Sequence, residues 1–140
     1  MGNRTAFSAG RNGARIVGEK PNFSGPGPQV MAAETLQGDR VVNPQGEDLG
    51  EIRDIMIDVP SGKVAYVVLS FGGVMGFGDK LFAIPWSALT LDAGRRCFIL
   101  DISRERLKHA PGFDRHHWPS MADPHWVAEV HDFYKPPDEG

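Results

Sequence analysis

Residues 49–71, Leu49-GEIRDIMIDVPSGKVAYVVLS-Phe71, dictate how the rest of the chain must pack. Two apolar, β-branched runs meet at Pro60-Ser61-Gly62, the pattern of a β-hairpin with a short loop. On the second run Val64, Tyr66 and Val68 point one way, and Ala65, Val67, Leu69 and Phe71 the other. A strand apolar on both faces belongs inside a small barrel or sandwich, or under a partner. The first run is less decided, because Leu49, Ile52, Met56 and Val59 also fit helical spacing. Gly50, the isoleucines and the following turn favour a strand. Its apolar phase slips between Ile52 and Ile55, which predicts a bulge of the kind that bends a sheet toward closure.

The surrounding 140 residues make one domain's worth of chain. Charged residues are 24% and hydrophobic ones 41%, which excludes neither a folded core nor water solubility. The net charge of -3 is unevenly spread, since residues 1–31 hold four basic side chains and one acidic one. The acidic remainder is a poor electrostatic match for nucleic acid, so no nucleic-acid partner is expected. The single Cys97 excludes an internal disulfide. No apolar run is long enough to span a bilayer and no secretory signal is visible, so the expectation is a cytoplasmic protein without direct membrane insertion.

Residues 1–31 are rich in Gly, Asn, Ser, Arg and Pro and are expected to form a disordered tail. Arg4, Arg11, Arg15 and Lys20 could serve there as a phosphate-binding arm, but dispersed charges on a tail are usually just solvated. Order is expected from Ala32, with AAETL making a helical turn and Val41-Val42 a strand. Asn43-Pro44-Gln45-Gly46 reads as a turn in which Gly takes the positive φ. Glu47, Asp48, Glu51, Asp54 and Asp58 lack the spacing of a calcium loop and are expected to form a solvated acidic face.

FGGVMGFGDK follows the hairpin. Its glycines neither open a helix nor carry a phosphate-loop spacing, so a pliable loop is expected, with Val74, Met75 and Phe77 as contact surface at its tip. Leu81–Ile84 reads as a strand ended by Pro85-Trp86, with a single helical turn over Ser87–Leu89. Thr90–Asp92 and Cys97–Leu100 form a second hairpin across Ala93-Gly94-Arg95-Arg96, and Cys97 fits a small core position better than a nucleophile. Ser103 is a fitting N-cap for RERLKHA, which Pro111-Gly112 ends. Further on, Pro124 can open a helix with Trp126, Val130 and Phe133 on one face. His116, His117, His125 and His131 lack the convergent spacing of a zinc site.

An ordered series now resembles a known family. It runs through Gly38, Val41, Gly46-Glu47, Leu49-Gly50, Ile52, Asp54, Ile57-Asp58, Gly62-Lys63-Val64 and Tyr66–Ser70. It continues in Phe71-Gly72-Gly73, Gly76, Gly78 and Ile84-Pro85-Trp86, and Ala110-Pro111, Phe113-Asp114 and Trp118 resemble its C-terminal end. Together these are similar to the PRC-barrel family, named after the cytoplasmic domain of the photosynthetic reaction-centre H subunit, over roughly Leu36–Trp118. The resemblance implies a small, highly curved antiparallel β-barrel used as a binding module. Relatives occur in reaction centres, in a ribosome-maturation factor and as stand-alone proteins. Neither the membrane helix of the first nor the extra N-terminal domain of the second is visible here, and the family offers no catalytic residue to carry over.

The expectations are therefore a mainly β fold with residues 32–118 as the barrel-like domain and 119–140 as an extension with a short helix. The expected role is a non-enzymatic protein–protein interaction module, a homodimer that also binds another protein, with no cofactor. Val74, Met75, Phe77, Trp118, Trp126, Val130 and Phe133 are the candidate partner-binding residues. The alternative is a small metal-binding protein or hydrolase using His116, His117, His125, Asp114 and Asp123. A further alternative is a soluble accessory of a photosynthetic or other membrane complex.

Overall fold

The hairpin expected at residues 49–71 is the spine of the sheet. The computed structural model describes residues 13–18, 29–71 and 80–135. Within them lie β1 (Arg15–Val17), β2 (Arg40–Val42), β3 (Asp48–Asp58), β4 (Lys63–Phe71), β5 (Lys80–Pro85), β6 (Leu89–Asp92) and β7 (Cys97–Leu100). Three helices accompany them, α1 (Ala33–Leu36), α2 (Arg104–Leu107) and α3 (Pro124–Tyr134), with a 3-10 turn at Trp86–Ala88. The strands form one sheet in the order β1-β6-β7-β2-β3-β4-β5. It is mainly antiparallel, but β1 pairs with β6 and β2 with β7 in parallel. The sheet curls around its main core without described pairing between its end strands β1 and β5, and a second, smaller apolar cluster lies on its outer face.

Part of the segment expected to be a disordered tail is in fact a strand. Arg15–Val17 pairs with Thr90–Asp92, and the Ala93 amide donates to the Val17 carbonyl at 2.9 Å. The reason is local: Ile16 and Ala14 find apolar cover on the core, and Gly18, at φ +73°, turns close against Asp92. The tail expectation for residues 1–12 and 19–28 lies outside the described residues.

Curvature comes from bulges. Along β3, Leu49 is the extra residue opposite β2 and Arg53 the extra residue opposite β4, the second falling where the apolar phase slips. Each bulge puts two successive core residues three apart, so Leu49, Ile52 and Ile55 all face inward. That spacing is what made the segment resemble a helix. A third irregularity sits on β4, where Ala65 is skipped between Met56–Tyr66 and Ile57–Val64.

The interior is filled from every strand except the short β1, with Val41, Leu49, Ile52, Val67, Leu69, Phe82, Ile84, Leu89 and Phe98 at its centre. Leu107 from α2 and Leu36 from α1 close its ends. Cys97 is buried among them, and burial, reinforced by the charge of Asp92, pushes its thiol pKa up. In the second hairpin the positive φ falls at Arg96 (58°) and not at Gly94, because Asp92 accepts from both the Gly94 and Arg95 amides and so fixes the turn one residue later.

Among the described residues, Asn43 is the polar or charged residue buried whole in the fold. Asn43, 2% exposed, accepts from the Gln45 and Glu47 amides at 3.1 and 2.8 Å. Its own amide group donates to the Ile102 carbonyl at 3.1 Å and to Glu47 Oε1 at 2.6 Å. The turn between β2 and β3 is thereby tied to the start of α2, whose Arg104 amide also donates to Glu47 Oε1 at 3.2 Å. The Asn43 amide first, and the Arg104 N–H second, hold the Glu47 carboxyl below the ordinary carboxylate range. A depressed folded pKa stabilises the protein above the unfolded value and is lost as pH falls through the folded value. Melting curves of the wild type and of Glu47→Gln should therefore be separated at neutral pH and converge in acid. Curves that stay parallel down to the acid limit would remove this role.

Candidate interaction surface

The C-terminal helix is set by its own first residues. Asp123 Oδ1 accepts from the His125 amide at 2.9 Å, and Pro124 occupies the first helical position, where its missing N–H costs nothing. The helix lies on the outer face of β4 and β5, where Val130 is buried against Tyr66 and Ala83. The Trp126 ring meets Tyr66 edge-on with centroids 5.1 Å apart, and the Tyr66 hydroxyl lies 3.1 Å from His131 Nε2. At the far end the Arg106 guanidinium sits 4.3 Å over the Phe133 ring and donates to the Phe133 carbonyl at 3.1 Å. A cation at the C-terminal end of a helix opposes its dipole, so both ends are held.

This placement corrects the role expected for Val130, which is spent inside its own chain and has no surface to offer. Trp126 is half-buried on the same contact, and Phe133 is half-buried against the main core. The physical reason is that Tyr66 and Ala83 need cover on the outer face, and a segment of the same chain meets them without the entropy loss of bringing in a second molecule. The surplus apolar face of β4 is thus met largely within the chain. The hydroxyl of Tyr134, at the end of the same helix, is buried without a partner among the described residues, and burial pushes its pKa up.

The segment between α2 and α3 closes the outer edge of β5. Leu81 and Phe113 exchange backbone hydrogen bonds of 2.8 and 2.9 Å. Gly112 permits this approach, since a Cβ there would stand 2.8 Å from the Phe82 ring and 3.0 Å from the Leu81 carbonyl oxygen. Trp118 packs on Phe113 at 5.0 Å, its indole N–H donates to the Arg115 carbonyl, and it remains 38% exposed. Of the expected contact residues that are described, Trp118 is the one displayed. Val74, Met75 and Phe77 lie outside the described residues.

The residues of the alternative metal or hydrolase site are scattered in their bonding. Asp114 accepts from the His116 amide at 2.8 Å and lies 3.0 Å from His117 Nδ1. These two contacts, the amide first, draw its carboxyl below the ordinary range. Asp123 caps α3 with His125, and His131 faces Tyr66. Among the described residues no three His, Cys, Asp or Glu side chains are grouped to hold a metal. The acidic run is also more engaged than a solvated face: Glu47 joins the Asn43 network, Asp48 pairs with Arg40 at 3.1 Å, and Asp58 accepts from the Ser61 amide.

One exposed feature escaped the sequence. Ile57 and Val59, at the tip of the β3–β4 hairpin, are 51% and 84% exposed. The signal was present in the proximity of two β-branched residues to Pro60-Ser61-Gly62, since a residue beside a tight turn projects beyond the core. Among the described residues, no helix is long and apolar enough to cross a membrane. A family model described as PRC-barrel domain matches residues 28–107. No curated protein gives a match.

Proposed function

This chain belongs to the PRC-barrel domain family, and from that premise we propose that it is a non-enzymatic protein–protein interaction module working in the cytoplasm. The supporting observation is how its large apolar side chains are divided. The curled sheet is packed solid with Phe82, Phe98 and their aliphatic neighbours, while Ile57, Val59 and Trp118 stay in solvent outside it. Two β-branched side chains exposed together at one hairpin tip, outside a well-packed domain, offer apolar area for a partner to cover.

Capture from native extract by wild-type protein and by an Ile57→Asp/Val59→Asp variant tests this. Specific partners retained by the wild type and lost by the variant, with the melting temperature unchanged, are the expected result. Identical capture by both proteins would count against the proposal. The homodimer expected from the sequence is the finer form of the same reading. Because α3 covers β4 within the chain, a second copy would have to bury the hairpin tip and Trp118. Light scattering at about twice the chain mass, lost on Trp118→Ala, is its signature.

A further inference from the structure

The β3–β4 hairpin carries an edge that the rest of the sheet leaves open. β2 pairs with β3 only from Asp48 to Glu51. Ile52 is bonded by the Gly38 amide and the Asp39 carbonyl, and the Gln37 side chain donates to the Arg53 carbonyl at 3.2 Å. From Asp54 to Asp58 the strand runs without a bulge of its own, and among the described residues no strand pairs with its outer edge. An open edge of this kind is a template for another extended chain.

The side chains say what kind of chain fits. By alternation Asp54, Met56 and Asp58 project from one side and Ile55 and Ile57 from the other. Asp54 is loosely paired with Arg53 at 3.6 Å and Asp58 is bonded through one oxygen to the Ser61 amide, so both carboxylates keep capacity for a cation. A second copy is a poor occupant. Two-fold pairing about Met56 would set Asp54 against Asp58 twice, and pairing about Ile55 would set Asp54 against Met56 and Arg53 against Ile57. Neither register matches charge with opposite charge. A strand with basic residues four apart and apolar residues between them, facing Ile55 and Ile57, satisfies both sides.

We propose that the outer edge of β3, from Asp54 to Asp58, takes up an extended basic–apolar segment of another protein by strand addition. This inference rests on the interaction-module reading and names the chemistry of the partner. The probe is the end-blocked peptide Gly-Lys-Val-Thr-Val-Lys-Gly, whose central residues read the same in both directions and so place Lys opposite Asp54 and Asp58 in either orientation.

Titration followed by fluorescence anisotropy should show saturable binding. Amide exchange at Ile55 and Ile57 should slow in the complex, because those groups gain partners. Asp54→Lys/Asp58→Lys should weaken binding about tenfold or more, since two attractive cross-strand pairs become repulsive. The same peptide N-methylated from its first valine through its second lysine keeps its charge but loses the ladder donors of either orientation, and should not bind the wild-type protein. Absence of binding by the parent peptide, equal binding of the methylated peptide, or unchanged exchange at Ile55 and Ile57 would each overturn strand addition. If extract partners are still lost on Ile57→Asp/Val59→Asp in that case, the module reading stands and only the edge is removed.

Discussion

Gly50→Ala should be the most damaging single-methyl change in this protein. Gly50 sits in β3 at φ +130°, between the bulges at Leu49 and Arg53. A Cβ there would stand 2.1 Å from the Ser70 carbonyl oxygen and 3.3 Å from Leu69 Cδ1. The first of these atoms is backbone in the central strand β4 and cannot swing aside. Left-handed strain and overpacking act together, so a loss of about 3 kcal/mol or more is expected. For a domain of this size that lowers Tm by roughly 10 °C. Gly62→Ala is the control: Gly62 also has a positive φ, +76°, but nothing within 4 Å of its Cβ position. It should cost only about 1 kcal/mol, the conformational part alone. Equal melting temperatures for the two variants would show that the close approach to β4 is not what confines position 50 to glycine.

Asn43→Ala should come second. The side chain makes four hydrogen bonds in a nearly dry site. Truncation leaves the Glu47 backbone N–H without its acceptor and the Ile102 carbonyl without its donor, and unpaired buried polar groups cost about 1–3 kcal/mol each, so a loss of about 2–4 kcal/mol is expected. Asn43→Asp tests the chemistry more finely. A carboxylate still accepts from the Gln45 and Glu47 amides but faces the Ile102 carbonyl and the Glu47 carboxylate without a proton to donate. Its instability should therefore ease as pH falls and the pair takes up a proton, whereas that of Asn43→Ala should show no such recovery. Chemical denaturation of the three proteins at neutral and mildly acidic pH distinguishes them, and an Asn43→Asp protein as stable as wild type at neutral pH would remove the donor role.

Much of the architecture was legible from local signals. The hairpin turn at Pro60-Ser61-Gly62, the Asn43–Gly46 turn, the Ser103 cap and the opening of α3 at Pro124 all depend on backbone preferences within a few residues, and each stands where its residues put it. The bulge at Arg53 was visible as a slip in apolar phase. The candidate surface was less legible. Trp118 is displayed, but Val130 is consumed by the chain's own outer face, and the exposed Ile57 and Val59 were read simply as members of an apolar run.

The sequence by itself determined that residues 49–71 are a bulged hairpin and that β4 must be covered on both sides, because alternation and turn chemistry act at short range. Only the tertiary structure decided what covers it. The choice among α3, a second copy and a foreign strand depends on which surfaces lie within reach after the sheet has curled, and that reach is set by the two bulges of β3, the parallel pairings of β1 and β2, and the bridge from Phe113 to Leu81.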